Sequence, residues 1–508
     1  MRAASAVAAD PELIAVIKSE DINTGFGTRI MPLGDQNGDG CAELMVFDVL
    51  GHGYYYLGRP SSADTITSYA LRFDSISYRA NNLGDINGDN VDDFVALGTA
   101  VSRRKLNLYF GGTGLNTIRD QWFGIDSLYG IGYTAYCADL NSNGTPELIS
   151  FSSENNSALL YELGLPPDSV HDLCLTPANL QSRVDYDNFG NSPVVGFFNG
   201  DGEPDLALGL RRHLASGVRG AVYLYWGGAT FDTVPDLIIS RLGGYVSGSE
   251  DFGGEILENL GDLNGDGFDD FFASSGASDE DSLGFVFFGG PDLDTIPEVV
   301  IANWHSIARF AGDVNHDGFD DFITGHPLPF SSMGEVRVYY GGPAMDSIPD
   351  LTFTAKDMPG YQVEFGLDCS GVGDFNGDGL DDFAFSYRNG YGYGIVLIYS
   401  GTDVNSVDYD YESTLPSDVD LSQNYPNPFN ATTQIEFGLP EKKRVRLAIY
   451  DILGQEVRLL LDRELSGGTY RVEWDGKDRS GRAVASGVYL YKLTAGDTVR
   501  SKKMVLLK

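Results

Sequence analysis

An all-β fold, with seven small antiparallel sheets set around an axis and a separate β-sandwich after them, is what this sequence predicts. Three observations support it. Aromatic residues make up 12% of the 508 residues and glycine occurs 64 times, a balance that favours short strands joined by tight turns. One acidic phrase recurs seven times between residues 34 and 382, with apolar strands in fixed places around it. After residue 420 the composition changes, and short strands recur about every ten residues.

The acidic phrase is a nine-residue loop whose fullest form is Asp-x-Asn-x-Asp-Gly-x-x-Asp. We number its positions 1 to 9 and name its copies L1 to L7, which are residues 35–43, 85–93, 139–147, 197–205, 262–270, 313–321 and 374–382. Neighbouring copies begin 50 to 65 residues apart. Repeats of this length that contain several strands each are typical of propellers and related arrays.

The segments around each loop repeat as well. An apolar strand ending in Gly follows the loop, as in "GFVFFGG" (284–290), and a turn phrase such as "DTIP" at 294 and a further strand such as "PEVVI" (297–301) come next. The turn phrases begin at residues 64, 116, 168, 232, 294, 346 and 405. One unit therefore has four strands and cannot bury both of its faces alone. Seven units ending near residue 404 predict a seven-bladed β-propeller.

The segment "PELIAV" (11–16) matches in phase the last strand of each unit. We expect it to pair with the final sheet, because closing the ring in this way leaves no exposed strand edge. The segment "SVDYDYES" (406–413) is the alternative partner, although its acidic residues suit an exposed edge or a linker better.

The loops contain the ligands of a hard cation. Side-chain oxygens at positions 1, 3, 5 and 9 and the main-chain carbonyl of position 7 can surround one Ca²⁺, and Gly at position 6 permits the sharp turn. The cation would cancel the repulsion among three closely spaced carboxylates. Unlike an EF-hand, the loop has no Glu at position 12 and lies between strands, which predicts a structural clamp. The alternative for any single copy is an ordinary turn that caps its own backbone.

Six copies supply the predicted calcium ligands. L5, L6 and L7 have full sets. L2 has a complete set too but has Asn90 where Gly is preferred, L1 ends in a longer Glu, and L3 offers only two carboxylates. The expected ligands are Asp35, Asn37, Asp39, Cys41, Glu43, Asp85, Asn87, Asp89, Val91, Asp93, Asp139, Asn141, Asn143, Thr145, Glu147, Asp262, Asn264, Asp266, Phe268, Asp270, Asp313, Asn315, Asp317, Phe319, Asp321, Asp374, Asn376, Asp378, Leu380 and Asp382. L4 begins with Phe197 and is the poorest candidate.

A Phe-Gly pair precedes three of the loops, in "NTGFGTRI" (23–30), "EDFGGEI" (250–256) and "VEFGLDC" (363–369). With the loops, these phrases make residues 10–404 resemble the FG-GAP repeat family, which includes the integrin α-subunit head and bacterial relatives. The family's Gly-Ala-Pro element is poorly kept, and "SSGAS" (274–278) is the nearest match. The resemblance implies a seven-bladed propeller with calcium in the loops of one face. It does not imply an integrin, because nothing suggests leg domains or a membrane span.

An acidic linker over 405–420 leads to a C-terminal module over 421–508. The short strands "VRLAIYD" (445–451), "TYRVEWDG" (469–476) and "GVYLYKL" (487–493) predict a small immunoglobulin-like β-sandwich.

Five phrases of this module, "NYPNPFN", "YDILGQEV", "WDGKDRSG", "ASGVYLYKL" and "KKMVLLK", closely resemble the type A sorting domain of the type IX secretion system. Ala431 and Thr432 replace the Pro-Ser that is usual in that family. The resemblance implies a secreted or outer-surface protein whose partner is the type IX secretion machinery. A generic carbohydrate-binding or immunoglobulin-like tail is the alternative. Residues 1–9 end like a small-residue cleavage region without an apolar h-region, which leaves open a remnant leader or none.

Charge is unevenly distributed. The net charge is −39, and residues 421–508 contain 15 Lys and Arg against 10 Asp and Glu, so that residues 1–420 carry −44. A surface this acidic repels phosphate backbones and argues against nucleic-acid binding. No apolar run approaches the roughly 20 residues that a transmembrane helix needs. The four scattered cysteines form neither a disulfide framework nor a zinc motif.

The sequence contains no catalytic motif. Its six histidines form no HExxH and no GxSxG is present; we expect His316 to be solvated and His52 to serve packing or a turn. The main hypothesis is therefore a non-catalytic, calcium-binding adhesion or ligand-binding protein whose extracellular protein or glycan ligand is unknown. The alternative is a secreted polysaccharide-active enzyme, a lyase or hydrolase. A cleft that combines Arg, Lys or His with Tyr would favour the enzyme, and its only hints are Arg103, Arg104, Arg211, Arg212 and His213.

Overall fold

The structure is a computed structural model, and it describes most of the chain. The described residues are 11–19, 22, 24–59, 64–66, 68–98, 105–124, 131–152, 157–163, 172–176, 186–187, 189, 193–210, 212–213, 220–240, 252–275, 283–291, 293–302, 307–327, 334–343, 345–355, 362–389, 393–403, 408–409, 419–424, 426–427, 429–430, 433–440, 443–452, 454–465, 468–474, 476–477, 482, 484–496 and 498–507. Over these residues the named elements are all β-strands. Two compact units divide the chain, Pro11–Gly401 and a second unit that contains Thr402–Lys508.

The described part of the first unit contains seven large sheets in chain order and one two-stranded sheet, preceded by β1 (Leu13–Lys18). Sheet 1 consists of β2 (Arg29–Gly34), β3 (Glu43–Phe47), β4 (His52–Tyr56) and, after β5 (Asp64–Ile66), β6 (Leu71–Asp74). Sheet 2 consists of β7 (Ile76–Gly84), β8 (Asp93–Gly98), β9 (Lys105–Tyr109) and β10 (Gln121–Gly124). Sheet 3 consists of β11 (Ile131–Ala138), β12 (Glu147–Ser152), β13 (Ser157–Glu162) and β14 (Leu173–Leu175).

The next sheets repeat this order. Sheet 4 consists of β16 (Pro193–Gly196), β17 (Asp205–Leu210), β19 (Ala221–Tyr225) and β20 (Leu237–Ile239), while β15 (Tyr186–Asp187) and β18 (Arg212–His213) pair separately. Sheet 5 consists of β21 (Phe252–Gly261), β22 (Asp270–Ser275), β23 (Leu283–Phe287) and β24 (Val299–Ala302). Sheet 6 consists of β25 (Ile307–Gly312), β26 (Asp321–His326), β27 (Glu335–Tyr339) and β28 (Leu351–Thr354). Sheet 7 contains β29 (Gln362–Val363), β30 (Cys369–Gly373), β31 (Asp382–Asn389) and β32 (Gly394–Tyr399).

Every acidic loop is the turn of the hairpin between the first long strand of its sheet and the next one. The residue before position 1 pairs with position 9 in all seven copies, which are Gly34–Glu43, Gly84–Asp93, Ala138–Glu147, Gly196–Asp205, Gly261–Asp270, Gly312–Asp321 and Gly373–Asp382. The strand after the loop is apolar on both faces, because a neighbouring sheet packs on each side. Phe271 and Phe272, for example, are both fully buried.

Strands β2, β7, β11, β16, β21, β25 and β30 neighbour one another in that order, and β30 also neighbours β2, so the cycle is closed. A separate buried apolar cluster lies between each two consecutive sheets. Phe73 and Phe94 belong to the cluster between sheets 1 and 2, while Ile17 and Phe375 belong to the cluster between sheets 7 and 1. The core of this unit therefore lies between facing sheets.

Strand β1 closes the cycle. It pairs antiparallel with β32, with Val16 opposite Leu397, which confirms the predicted partner of the last sheet. Of the alternative segment 406–413, the structure describes only Asp408–Tyr409, which pairs with Arg471 and Tyr470 in the second unit.

The turn predicted at residue 64 was wrong. Asp64–Ile66 forms β5 and pairs in parallel with β1, with Val16 opposite Thr65. The reason is that β1 is the outer strand of sheet 7 and presents a free edge whose N–H and C=O groups need partners. The phrases that begin at 116, 232, 294 and 346 lie outside the named strands, as predicted. Those at 168–171 and 405–407 lie outside the described residues.

The second unit is built from eight described strands. They are β33 (Asp408–Tyr409), β34 (Asp420–Leu421), β35 (Thr433–Leu439), β36 (Lys443–Tyr450), β37 (Glu456–Leu465), β38 (Gly468–Trp474), β39 (Gly487–Ala495) and β40 (Thr498–Leu506). One sheet has the order β33-β38-β35-β34 and the other β37-β36-β39-β40. Side chains from both sheets form one buried cluster that includes Trp474 and Tyr491. Two sheets around a shared core form a β-sandwich, and part of the predicted linker, in β33 and at Asp420, belongs to it.

Candidate functional site

The backbone of each loop holds the carboxylate at position 1. In L5, Asp262 Oδ1 accepts hydrogen bonds from the N–H of Gly265 at 2.7 Å and of Asp266 at 3.0 Å, and Oδ2 accepts from Gly267 at 2.8 Å. Gly267, at position 6, has a φ of 92°, where a side chain would be strained. The bond from position 6 to position 1 recurs at 2.7 to 2.9 Å in L1, L2, L3, L6 and L7. The side chain of Phe197, at position 1 of L4, has no hydrogen-bond acceptor, so L4 lacks this bond.

Two non-glycine residues take the left-handed conformation as the sequence predicted or allowed. Asn90 replaces Gly at position 6 of L2 and has a φ of 66°, which asparagine tolerates. His316, at position 4 of L6, has a φ of 56° and an exposed side chain. The exposure of His316 confirms that it faces solvent.

The carboxylate at position 9 is buried in every copy. Exposure is 4% for Glu147 and zero for Glu43, Asp93, Asp205, Asp270, Asp321 and Asp382. In L5, Asp270 Oδ2 accepts from the N–H of Leu263 at position 2, and Oδ1 accepts from Gly289 beyond the third strand, both at 2.8 Å. The carboxylate at position 9 is thus hydrogen-bonded both to its own loop and to the turn after the third strand of the same sheet.

Burial makes these carboxylates unfavourable as anions. It raises the pKa of Asp270 to about 8, and the negative charges of Asp266 and Asp262 raise it further, against two backbone hydrogen bonds that lower it. Burial likewise raises the pKa of Asp382 to about 8, of Glu43 and Glu147 to about 7, and of Asp93 and Asp205 to about 6. A cation bound close by would favour the ionised form of these buried carboxylates.

The amide at position 3 separates the copies into two groups. In L5, L6 and L7 it donates to the carboxylate at position 5, at 3.0, 3.1 and 2.9 Å. In L1 and L2 it donates to the carboxylate at position 9, at 2.8 and 3.3 Å, and Asn141 does the same in L3. L4, the poorest candidate by sequence, has the same bond to position 5, because Asn199 donates to Asp201 at 3.0 Å. This amide therefore does not separate the loops by the completeness of their predicted ligand sets.

The predicted ligand side chains of each copy lie in one loop, but they do not form a preformed metal cage. Within the described residues no group of three or more His, Cys, Asp or Glu side chains is disposed to hold a metal ion. Carboxylates and an amide oxygen are nevertheless the donors that Ca²⁺ takes, and a bound cation would favour the ionised form of the buried carboxylate at position 9. At position 7, where a carbonyl ligand is predicted, the side chain of Cys41 is buried and those of Val91, Thr145, Phe268, Phe319 and Leu380 are half-buried. The donor chemistry therefore fits calcium.

Sequence reasoning missed the residue at position 8. Asp92, Asp269, Asp320 and Asp381 hold this position in L2, L5, L6 and L7. In L5, L6 and L7 its side chain accepts a hydrogen bond from the loop of the preceding sheet. The repeated Asp-Asp doublet was the available signal, because only its second member has a place among the predicted ligands.

A second cluster lies where β1 approaches sheet 1. A pocket open to solvent is lined by Lys18, Ser19, Thr24, Phe26, Tyr54, Tyr56, Tyr69 and Arg72. Tyr54 donates from its hydroxyl to Asp48 at 3.2 Å, and Asp48 also lies 2.8 Å from His52 Nδ1. His52 is the first residue of β4, and its N–H donates to Asp48 Oδ1 at 2.9 Å across the turn before that strand. The sequence offered five basic residues as hints of an enzyme cleft. Arg103, Arg104 and Arg211 lie outside the described residues. Only the backbone of Arg212 and His213 is described, in β18.

In the second unit, two separate phrases of the sorting-domain resemblance meet. The N–H of Phe429, from "NYPNPFN", donates to Val505 at 2.9 Å, and the N–H of Val505, from "KKMVLLK", donates to the side chain of Asn427 at 3.0 Å. Asn424 is 2% exposed, and its side chain donates to Thr433 Oγ1 at 2.9 Å. The described residues of the first phrase are thus hydrogen-bonded to the last strand.

Comparison with known proteins gives a different match for each unit. Residues 423–498 match the family of the FlgD Ig-like domain. Integrin alpha-5 of Xenopus laevis is 23% identical over 276 residues, 50% of this chain and 24% of its own. Integrin alpha-PS3 of Drosophila melanogaster is 29% identical over 157 residues, 28% of this chain and 14% of its own. Integrin alpha-PS2 of the same fly is 27% identical over 208 residues, 38% of this chain and 15% of its own.

These matches cover parts of proteins. The chain spans about a quarter or less of the length of these integrin relatives. A solved structure of PorZ, a surface component of the type-IX secretion system of Porphyromonas gingivalis, covers 98% of this chain and 70% of its own at 12% identity. Its TM-score of 0.23 is too low to carry an argument. Across the described part of the chain, no helix has the length and apolar character to cross a membrane.

Proposed function

We propose that residues 11–401 form a seven-bladed β-propeller that binds calcium through its acidic loops and serves as a non-catalytic adhesion or ligand-binding module. The closed cycle of seven first strands and the apolar cluster between each pair of sheets support the propeller. Similarity to integrin α chains supports the same architecture and is consistent with a protein that is not an enzyme. The fold alone does not decide what the module binds.

Calcium binding rests on one observation above all, the burial of the carboxylate at position 9 close to two further acids of the same loop. In L5 the cation would be held by Asp262, Asn264, Asp266 and Asp270, with the carbonyl of Phe268. The cation would supply the positive charge that Asp270 lacks, and binding would couple to folding because it requires the ordered loop. L6 and L7 offer the same donors, while L3 should bind weakly.

The experiment is a calcium titration of the intact protein. Calorimetry should detect roughly four to six Ca²⁺ ions, and EDTA should lower the melting temperature, because removing a ligand of the folded state destabilises it. Mg²⁺ at the same concentration is the control, since it accepts irregular oxygen cages less readily. No heat of binding together with an unchanged melting curve in EDTA would contradict calcium binding.

The adhesion proposal needs its own assay. The calcium-loaded protein should bind at least one member of a panel of extracellular matrix proteins and arrayed glycans, and it should lose that binding in EDTA. The unrelated acidic protein bovine serum albumin, measured on the same panel, controls for charge. Absence of binding to every member with calcium present would argue against an adhesion module.

We further propose that the C-terminal unit is a type IX sorting module that brings the protein to the outer surface or the medium. The match to the FlgD Ig-like domain supports an immunoglobulin-like sandwich. The contact of "NYPNPFN" with the last strand supports the sorting resemblance, because it joins two of its phrases in one structural unit.

A polysaccharide-active enzyme is the second candidate, and the pocket beside β1 favours it. Lys18 and Arg72 lie there with three tyrosines, and their positive charge would attract an acidic sugar, but the cavity of about 20 Å³ has room for little more than one water molecule. However, burial raises the pKa of Tyr54, with Asp48 adding to the rise, so this tyrosine is a poor general base. A depolymerisation assay on acidic polysaccharides, with Arg72→Ala as the paired variant, tests this candidate. Product from the parent and none from the variant would support it, and no product from either would exclude it for those substrates.

A further inference from the structure

In L5, L6 and L7 the aspartate at position 8 is hydrogen-bonded to the loop of the preceding sheet, a contact that we call the tie. Asp320 of L6 accepts on Oδ2 a hydrogen bond from the N–H of Asp262, position 1 of L5, at 2.7 Å. In return the N–H of Asp320 donates to the carbonyl of Asp262 at 3.2 Å. The two residues are therefore joined by two reciprocal hydrogen bonds between neighbouring sheets. Asp262 is itself a predicted calcium ligand.

The same pair recurs along the ring. Asp269 of L5 accepts from the N–H of Phe197 at 3.0 Å and donates to its carbonyl at 3.1 Å. Asp381 of L7 accepts from the N–H of Asp313 at 3.2 Å. Because each tie links a loop to the loop of the preceding sheet, L4, L5, L6 and L7 form one connected run.

The run ends at L4, where position 8 changes. Pro146 in L3 and Pro204 in L4 have neither a carboxylate nor an N–H, so neither can form the pair. L2 keeps Asp92, but its carboxylate accepts from Asn82 at 2.7 Å, and its contact with L1 is made by its carbonyl, which accepts from the side chain of Gln36 at 3.0 Å. L1 has Ala42, whose N–H donates to the carbonyl of Asp374 at 2.7 Å. That seam between L1 and L7 therefore has the backbone half of the pair and lacks the carboxylate half.

The tie also explains the glycine before position 1 of L5 and L6. A Cβ on Gly261 would overlap Oδ2 of Asp320, and one on Gly312 would overlap Oδ2 of Asp381. Where the following loop has proline at position 8, this space is free. Gly84 has no atom near the place of a Cβ, and L3 has Ala138 at that point. A side chain at Gly261 or Gly312 would therefore displace the carboxylate, whereas at Gly196 the crowding atoms belong to Phe198 and Asn259.

We propose that Asp269, Asp320 and Asp381 are positioning residues that couple the acidic loops, so that ordering of one loop stabilises the loop of the preceding sheet. The proposal deepens the calcium function and rests on it for its ligand. A cation bound at position 9 orders the adjacent residue at position 8. In L6 and L7 that residue holds the N–H of a predicted ligand residue, Asp262 or Asp313, in the loop of the preceding sheet. Coupling of this kind is a free energy shared between two sites and acts in both directions. L2 and L3 lie outside the run.

Amide hydrogen exchange, measured by mass spectrometry on the full chain with and without CaCl2, tests the coupling. Asp320→Ala should speed exchange within 262–270 about fivefold in EDTA, since the lost bond contributes roughly 1 kcal/mol. It should also raise the calcium concentration that protects 262–270, although residue 320 lies in another loop. Asp320→Asn keeps an oxygen acceptor and should restore most of the protection. Asp346→Ala removes an exposed carboxylate from a turn of the same sheet and is the charge-matched control.

The possible results distinguish the proposed coupling of the loops from the proposed binding of calcium. If Asp320→Ala alters only 313–321, or if Asp346→Ala alters 262–270 equally, the coupling is wrong. If calcium protects no loop of the parent, the calcium proposal fails, while the comparison in EDTA still tests the tie. Ala42→Asp offers a gain of contact, because its carboxylate would face the N–H of Asp374. It should slow exchange within 374–382 several-fold, and unchanged or faster exchange would count against the coupling.

Discussion

At the scale of single residues, chemically similar carboxylates of one loop have different surroundings. Asp266, at position 5, is exposed and accepts from the N–H of Phe268 at 3.1 Å. Asp270, four residues later, is fully buried, and burial raises its pKa to about 8. The exposed group can meet a cation from solvent, and the buried group gains most from its charge. Substitutions at the two positions should therefore act in different ways.

Asp266→Ala should cost more stability than Asn143→Ala when calcium is present. The first change removes a charged ligand from a full set, and we expect a loss of about 2 kcal/mol, whereas the second removes a neutral ligand from a loop with two carboxylates and should cost about 1 kcal/mol or less. Chemical denaturation in CaCl2 measures the difference. In EDTA the two losses should be similar, because Asp266 and Asn143 each accept one backbone N–H two residues on, at 3.1 and 2.7 Å. Equal losses in calcium would refute the ranking of the loops.

A polar pair on the first strands offers a second test at this scale. Arg309 Nη1 lies 3.1 Å from Glu258 Oε2, with side-chain exposures of 17% and 18%, and the pair joins β25 to β21. Burial raises the pKa of Glu258, and Arg309 opposes that rise. Glu258→Ala would leave the arginine charge largely buried.

We expect Glu258→Ala to lower the free energy of unfolding by about 2 kcal/mol, less than a fully buried pair would lose because water still reaches both groups. Glu335→Ala is the matched control. Glu335 pairs with Arg337 on its own strand, so its loss should cost about 0.5 kcal/mol. Denaturant melts of both variants measure these values, and a smaller loss at Glu258 than at Glu335 would contradict a role between sheets.

At the scale of elements, strand β1 has the most consequences. It lies between β32 and β5, and Ile17 is fully buried in the cluster between sheets 7 and 1. Removing it would expose the edge of β32 and leave β5 without the partner it has on β1. The first and last parts of the unit are therefore held together by a strand from the N-terminal end.

Deleting residues 1–18 should strongly destabilise the first unit, whereas ending the chain after residue 405 should leave it nearly as stable as before. The milder variant Ile17→Ala should cost about 2 to 4 kcal/mol through the cavity it creates. Thermal melting followed by circular dichroism measures all three. A stable deletion of 1–18 combined with an unstable truncation at 405 would reverse the assignment of the closing strand.

At the scale of the whole molecule, the negative charge and the proposed sorting module belong to different parts of the chain. Residues 1–420 carry a net charge of −44 and residues 421–508 carry +5, which together give the net charge of −39. The acidic loops account for much of the first value, and a cation in each would reduce it. The C-terminal sandwich has its own apolar core around Trp474 and Tyr491, which fits a module that is recognised separately.

In a host with a type IX secretion system, deleting 421–508 should retain the protein within the cell envelope, while the full chain reaches the surface or the medium. Immunoblots of cell and medium fractions measure the partition. A fusion of 421–508 to a periplasmic reporter should gain export, which shows that loss of secretion is not caused by misfolding of the first unit. Normal secretion of the deleted protein would rule out the sorting role.

The sequence by itself determined the repeating unit, the boundary of composition near residue 420 and the loop residues. These features are local, because a nine-residue loop and its flanking strands carry their own turn and burial signals. It also indicated β1 as the closing strand, since the phase of "PELIAV" matches the last strand of each unit. It could not show β5, because a strand that fills the free edge of β1 depends on where that edge lies.

Only the tertiary structure decided which loops contact each other and how. The tie from Asp320 to Asp262 joins residues 58 apart in sequence, and no local pattern distinguishes it from a second calcium ligand. The same holds for the burial that raises the pKa of Asp382 to about 8, and for the meeting of Phe429 with Val505. The physical reason is common to all three. Hydrogen bonding across sheets and exclusion of water are properties of packed neighbours, which the order of residues along the chain does not contain.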